Sequence, residues 1–295
     1  MEELVGMPKQ NGDARATGRA VAKEALKKAG KTCSPDYFYM SAPPGEEEFY
    51  LKGIEDVIGR IPFFGGSAAD NAIAGEWLLY TDEMVCSDGV SVAFFYTGKP
   101  FANKFTGAYK ETTNVGVITK LNGPRTLAEI DEVPAIKKYA EWTGKNIDAL
   151  MLGNLLVSTI TAPLGVKDSL GDLVAIRHPM NGNNDFSMAV GSNLAVGTAV
   201  IQMEGSVDQL IQSVGETLEV LKKRIDGPIG ALHLVHCGGR RAGIDSRIDE
   251  VAKQVKEHVG DIPYIVEFTF GEYGFEDHGA NTCGGLMLSF TAFGK

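Results

Sequence analysis

The residues with the most chemistry in them cluster late in the chain. Cys237-Gly238-Gly239-Arg240-Arg241 follows an apolar run at 231–235, and Glu272 sits in Phe270-Gly271-Glu272-Tyr273-Gly274 one helix and one strand later. An arginine fork in a glycine-rich turn suits bidentate capture of a carboxylate or phosphate, and Arg240 is better placed for it than Arg241. Glu272, beside a glycine, can accept a ligand amine or pair with an arginine. Cys237 next to His236 suggests an activated thiol. Neighbours on a strand point to opposite faces, however, so His236 is a poor base for it, and a buried cysteine packs as a small hydrophobe. A second polar stretch, Gly65-Gly66-Ser67-Ala68-Ala69-Asp70-Asn71, lies in the first third of the chain. Ala69 replaces the second glycine of a nucleophile elbow, and the stretch lacks the lysine of a phosphate-binding loop. The amide of Gly66 and the side chains of Ser67, Asp70 and Asn71 can still hydrogen-bond a small polar ligand.

These residues need strands and helices to hold them. Helical spacing predicts helices over 206–225 and 245–259, with strands at 231–235, 262–268 and 286–293. Two glycine-rich turns then follow consecutive strands, which is where open α/β sheets bind ligands. Earlier, Asp13 reads as the N-cap of a helix ending at Gly30. An aromatic strand at 37–40 leads to a helix with Glu46, Glu47 and Glu48 in its first turn. The strand 61–64 then opens into the Gly65–Asn71 stretch. Both ends of the chain thus run helix, strand, glycine turn, helix, strand, with Ile61-Pro62-Phe63 and Ile262-Pro263-Tyr264 at the same point in each. That order predicts an internal duplication of topology. Between them, 101–121 alternates apolar and polar residues up to Asn122-Gly123-Pro124, a helix begins near Pro134, and 149–203 is rich in short strands. The expected fold class is α/β, with two lobes of mixed sheets and flanking helices, divided into 1–123 and 124–295.

Composition narrows the function. The 295 residues carry 44% hydrophobic and 22% charged side chains, ordinary for a globular protein. A net charge of −10 without long basic runs argues against a nucleic-acid partner. No apolar run is long enough for membrane insertion, and the acidic start lacks a secretory pattern. The four cysteines are too far apart for a zinc or disulfide framework. A cytoplasmic protein is expected.

Cys237-Gly238-Gly239-Arg240, then Gly271-Glu272-Tyr273-Gly274, then Asn281-Thr282 before a closing apolar strand resemble, in order and spacing, the C-terminal part of the FIST family. Pro134-Ala135-Ile136-Lys137-Lys138-Tyr139 resembles that part's helix entry, and Gly65–Asp70 resembles the glycine-rich turn of the N-terminal part. The resemblance spans nearly the whole chain. It implies a non-enzymatic sensory domain for signal transduction that holds a small ligand, an amino acid or another polar metabolite. The implied partner is a separate histidine kinase or chemotaxis receptor, because no output region is attached. The expected ligand-binding set is Gly66, Ser67, Asp70, Asn71, Cys237, Arg240, Arg241, Glu272 and Asn281, facing one cleft, with no cofactor. One branch of the family binds haem and senses nitric oxide; if that applies here, His178 or His278 is the axial ligand. A cysteine-dependent enzyme using Cys237 is the remaining alternative.

Overall fold

A computed structural model describes residues 4–151, 153, 155–167 and 173–295. Parts of the acidic start and of the 149–203 stretch lie outside the described residues. The first segment comprises β1 (Val5–Pro8), α1 (Ala14–Lys28), β2 (Tyr37–Ala42), α2 (Glu47–Ile58), β3 (Phe63–Ser67), β4 (Leu79–Thr81), β5 (Met84–Cys86) and β6 (Gly89–Phe95). The middle runs β7 (Phe101–Thr106), β8 (Lys110–Gly123), β9 (Thr126–Ile130), β10 (Val133–Pro134), α3 (Ala135–Thr143) and α4 (Ile147–Leu150). It continues with β11 (Leu164–Lys167), β12 (Val174–Arg177), β13 (Pro179–Gly182), β14 (Met188–Val190) and β15 (Ala199–Glu204). The last segment is α5 (Val207–Arg224), β16 (Ile229–Cys237), α6 (Gly238–Ile244), α7 (Ile248–Val259), β17 (Tyr264–Thr269), β18 (Glu272–Gly274), β19 (Thr282–Gly284) and β20 (Leu288–Gly294).

The expected duplication is visible in the strand order. One sheet reads β1-β6-β2-β3-β18-β19 and another β17-β16-β20-β7. In each, two strands joined by a crossover helix pair in parallel, β2 with β3 and β16 with β17. The first of the pair also meets an antiparallel strand, β6 or β20, which carries an outer antiparallel strand, β1 or β7. One bond fixes the equivalence: Phe38 N donates to the Pro62 carbonyl at 3.1 Å, and Leu232 N to the Pro263 carbonyl at 3.0 Å. The shared Ile-Pro-aromatic triplet thus marks the same register point in both sheets.

The sheets stack face to face through rings, with Tyr37 against Phe101 at 3.9 Å and Tyr39 against His233 at 5.7 Å. Helices α1 and α2 cover the outside of one sheet and α5 and α7 the other, each over its own apolar core. The small face of α1 serves α2 as well as the sheet. A side chain at Gly18 or Gly53 would meet the backbone of the other helix, so glycine at both sets their close approach.

Everything from β8 to β15 is inserted between β7 and α5, where the first repeat has only a short turn. The insertion builds its own sheet, β12-β11-β15-β8-β9-β14-β13, and its own core under α3. The position 123/124 falls in the β8–β9 hairpin. One element also crosses between repeats: β18, from the second, pairs with β3 of the first, Glu272 opposite Gly66. The chain-order counterpart of the β18–β19 hairpin is β4–β5, which pairs only with itself.

Candidate functional site

The two glycine-rich stretches meet, though not as turns across a cleft. Gly65, Gly66 and Ser67 are strand residues of β3 zipped to β18, with Ser67 N donating to the Gly271 carbonyl at 2.8 Å and Phe270 N to the Ser67 carbonyl at 3.2 Å. Their glycines answer to packing: a side chain at Gly65 would meet the Met40 carbonyl, and one at Gly66 the Thr269 side chain. Ser67 is buried and tied to Glu47 Oε1 at 3.1 Å and the Tyr273 hydroxyl at 2.9 Å. Asp70 accepts from the amides of Ala72, Ala74, Gly75 and Glu76. Desolvation opposes its charge, but those four bonds outweigh it and hold the carboxyl below its usual range. Asn71 is exposed, and Arg241 reaches only the Asp245 carbonyl at 3.4 Å. The single shared cleft expected for Gly66, Ser67, Asp70, Asn71 and Arg241 is therefore replaced by continuous sheet and a surface loop.

Cys237, Arg240 and Glu272 do converge, inside the protein. Arg240, on α6 just past β16, is 0% exposed. Its Nη2 donates to the Leu210 carbonyl at 2.7 Å and to Ser213 Oγ at 2.6 Å, both on α5. Its Nε and Nη1 have no partner among the described residues, and neither does the buried hydroxyl of Tyr109. Glu272 accepts from Thr269 Oγ1 and from Met287 N, both at 2.9 Å. Burial pushes its carboxyl up to about 8. Burial also pushes the Cys237 thiol well above its usual value, with Glu272 adding to the effect. His236 Nδ1 bonds the Cys237 backbone carbonyl at 3.0 Å, and burial followed by the Arg240 charge holds its ring down to about 3. Burial therefore disfavours the Cys237 thiolate, the form that a nucleophilic cysteine needs.

A second cluster escaped the sequence reading because its members come from distant segments. Arg125, between β8 and β9, reaches Glu47 Oε2 and Glu48 Oε2 on α2, both at 2.6 Å. Beside them a cavity of about 380 Å3 opens between α2, β12, β19 and the 193–198 loop. Arg177 faces it, nearly buried, donating only to carbonyls: Asn193 at 3.1 Å, Ile176 at 3.2 Å and Cys283 at 3.3 Å. Desolvation lowers its pKa against the pull of Glu48. Glu55 and Asn281 line the same cavity. The Asn281 amide nitrogen donates to the Ile61 carbonyl at 2.9 Å. Asn281 Oδ1 and Glu55 Oε1, on neighbouring side chains, find no donor among the described residues. Burial raises the Glu55 carboxyl. Asn281, expected beside Arg240, belongs to this cavity instead. The one sequence signal for it was Arg177 itself, a lone charge ending an apolar strand.

The model of the FIST N domain matches residues 3–133, and that of the FIST C domain residues 135–274. The chain belongs to the FIST family. Among curated proteins no further relative matches. FIST domains are sensory domains of signal transduction, and the C-domain match ends on β18, before the two strands that complete the FIST sheets here. No helix among the described residues is long and apolar enough to cross a membrane.

The haem alternative known from one FIST branch does not fit the two histidines. His178 is buried, its Nε2 is engaged by the Leu156 carbonyl at 2.8 Å, and desolvation holds its ring down to about 4. His278 is exposed on the lip of an adjoining cavity of about 180 Å3, which shares Arg177, Thr198 and Thr282 with the larger one.

Proposed function

We propose that this FIST chain is a sensory domain whose primary ligand is a small zwitterion, such as an amino acid, held in the cavity between α2, β12 and β19. The observation that carries the reading is a complementary pair of deficits in one cavity. Arg177 is a buried cation facing it whose hydrogen-bond partners among the described residues are all neutral carbonyls. Glu55 Oε1 and Asn281 Oδ1 are two acceptor atoms without a donor in hydrogen-bond geometry among the described residues, although the Asn281 amide lies near enough to Glu55 to favour its charged form. Buried polar groups are otherwise satisfied almost without exception. A carboxylate on Arg177 and an ammonium between Glu55 and Asn281 would meet both needs, and about 380 Å3 lies within the range of small-molecule sites. Ligand binding there joins α2 of the first repeat to β12 of the insertion, so occupancy biases how those two parts sit together. The output then passes to a separate signalling protein, in the manner of a histidine kinase or chemotaxis receptor.

Thermal-shift measurements with amino acids, and with the amine and the acid left by removing either charged group, test this. An intact ligand at about a hundredfold its Kd stabilises by about 2.7 kcal/mol. Single-charge analogues are expected to stabilise far less, and Arg177→Met and Glu55→Gln to weaken binding at least about tenfold. If no amino acid shifts the transition of ligand-free protein, the zwitterion reading fails.

A further inference from the structure

A second buried cation, outside that cavity's lining, is left without an explanation. Arg240 lies beneath a groove of about 510 Å3 between α5 and the β7–β8 loop. Ser213, which accepts from Arg240 Nη2 at 2.6 Å, and Tyr109, whose hydroxyl is buried without a partner among the described residues, are both in the groove wall. The groove thus comes within one side chain, Ser213, of the guanidinium. The geometry points to a closed pocket for a small monovalent carboxylate on Arg240 Nε and Nη1, with the Tyr109 hydroxyl as a further donor and its ring as the door.

Four observations converge on it. Two guanidinium nitrogens and a phenol hydroxyl, all donors, lack acceptors in the same buried region. Three donors with no acceptor call for an oxygen-rich anion, as the cavity beside Arg177 called for both charges. A monoanion balances the single charge of Arg240, since burial raises the Glu272 carboxyl to about 8 and so favours its neutral form. The way in carries Lys110 and Lys104, the latter bridged to Glu276 at 3.5 Å, with one acid, Glu216, in its wall. The door is flanked by Gly107 and Gly205, where no side chain bars the Tyr109 ring and a side chain at Gly205 would strike it. A lone water could satisfy part of this set, but it would leave the charge uncompensated in a low-dielectric site, which is costly.

The test uses the full chain and sodium acetate, read by the arginine Nε–H resonance assigned to Arg240 through its loss in Arg240→Met. Acetate is expected to shift that resonance saturably, while sodium chloride at equal ionic strength does not. Tyr109→Phe should weaken acetate binding about three- to tenfold by removing one donor. Tyr109→Ala should accelerate exchange between free and bound forms at least about tenfold by removing the door. Arg177→Met should leave the acetate shift unchanged, which separates this pocket from the zwitterion cavity. A resonance indifferent to acetate in both wild type and Tyr109→Ala would mean that water alone fills the space, and the proposal would fall. An equal response to chloride would overturn the carboxylate assignment, and loss of the response in Arg177→Met would place acetate in the other cavity.

Discussion

Each repeat buries a charge soon after its first parallel strand, and the two charges are treated differently. In the first repeat Glu47, opening α2, is met by Gly45 N at 2.6 Å, Ser67 Oγ at 3.1 Å and Arg125 Nη2 at 2.6 Å. In the second, Arg240 spends one nitrogen on two α5 oxygens and leaves two nitrogens empty. Removing a charge from water without a partner is among the most expensive things a fold can do. A buried charge enclosed by partners is framework, tying the insertion to the first repeat. A buried charge without them marks a place where the folded chain is incomplete until something binds.

The largest break in that comparison should come at Glu47. Glu47→Ala strips Ser67 and Gly45 of their acceptor and halves the pairing of Arg125, so urea unfolding should show a loss of about 3–5 kcal/mol. A loss below about 1 kcal/mol would mean that the partnered charge is no more structural than the unpartnered one. Glu272 tests the second repeat through pH. Its folded pKa is raised from 4.5 to about 8, so the native state holds the proton more tightly than the unfolded chain. The stability it contributes is full below about 4.5 and is lost as pH rises toward about 8, on the order of a few kcal/mol. Glu272→Gln should flatten that slope, and an unchanged slope would assign it to other groups. Ser67→Ala should cost about 1 kcal/mol, the price of two buried hydrogen bonds partly recovered elsewhere. Arg240→Met should stay within about 1 kcal/mol of wild type without ligand, because relief of an unpaired buried charge offsets the lost Nη2 bonds. Asn71→Ala should change stability by less than about 0.5 kcal/mol and leave ligand binding untouched.

How much of this was legible in the sequence depended on whether the signal was local. The Asp13 cap is present, its carboxylate accepting from Ala16 N at 2.8 Å, and the paired Ile-Pro-aromatic triplets disclosed the duplication. Both are encoded within a few adjacent residues. The glycine-rich stretches misled because glycine answers two different demands. At Gly65 and Gly66 it makes room for Met40 and Thr269 inside a sheet, and a single sequence cannot distinguish that from a turn open to ligand. Residues 238–241 likewise read as a turn but form α6, because Cys237 Sγ caps the helix by accepting from Gly239 N. Arg177 and Glu55 were out of reach for another reason: more than a hundred residues separate them along the chain, and only the insertion's fold brings them to one cavity. Arg240 was identified, but its burial against α5 was not, since Leu210 and Ser213 lie some thirty residues earlier in the chain.

The crossing of β18 from one repeat into the other's sheet also sets a timetable for synthesis. Once the chain has emerged through residue 95, β1, β6, β2 and β3 can assemble over α1 and α2, yet the outer edge of β3 stays bare until residues 272–284 are made. A bare strand edge is a template for pairing with the wrong chain, and this one waits through the whole insertion. The nascent chain has a partial defence in what borders that edge: Gly65 and Gly66 present no apolar side chains, and the loop beyond them carries Asp70. The strands that close both sheets, β18 to β20, leave the ribosome after all the others described, so neither sheet is whole until they have emerged.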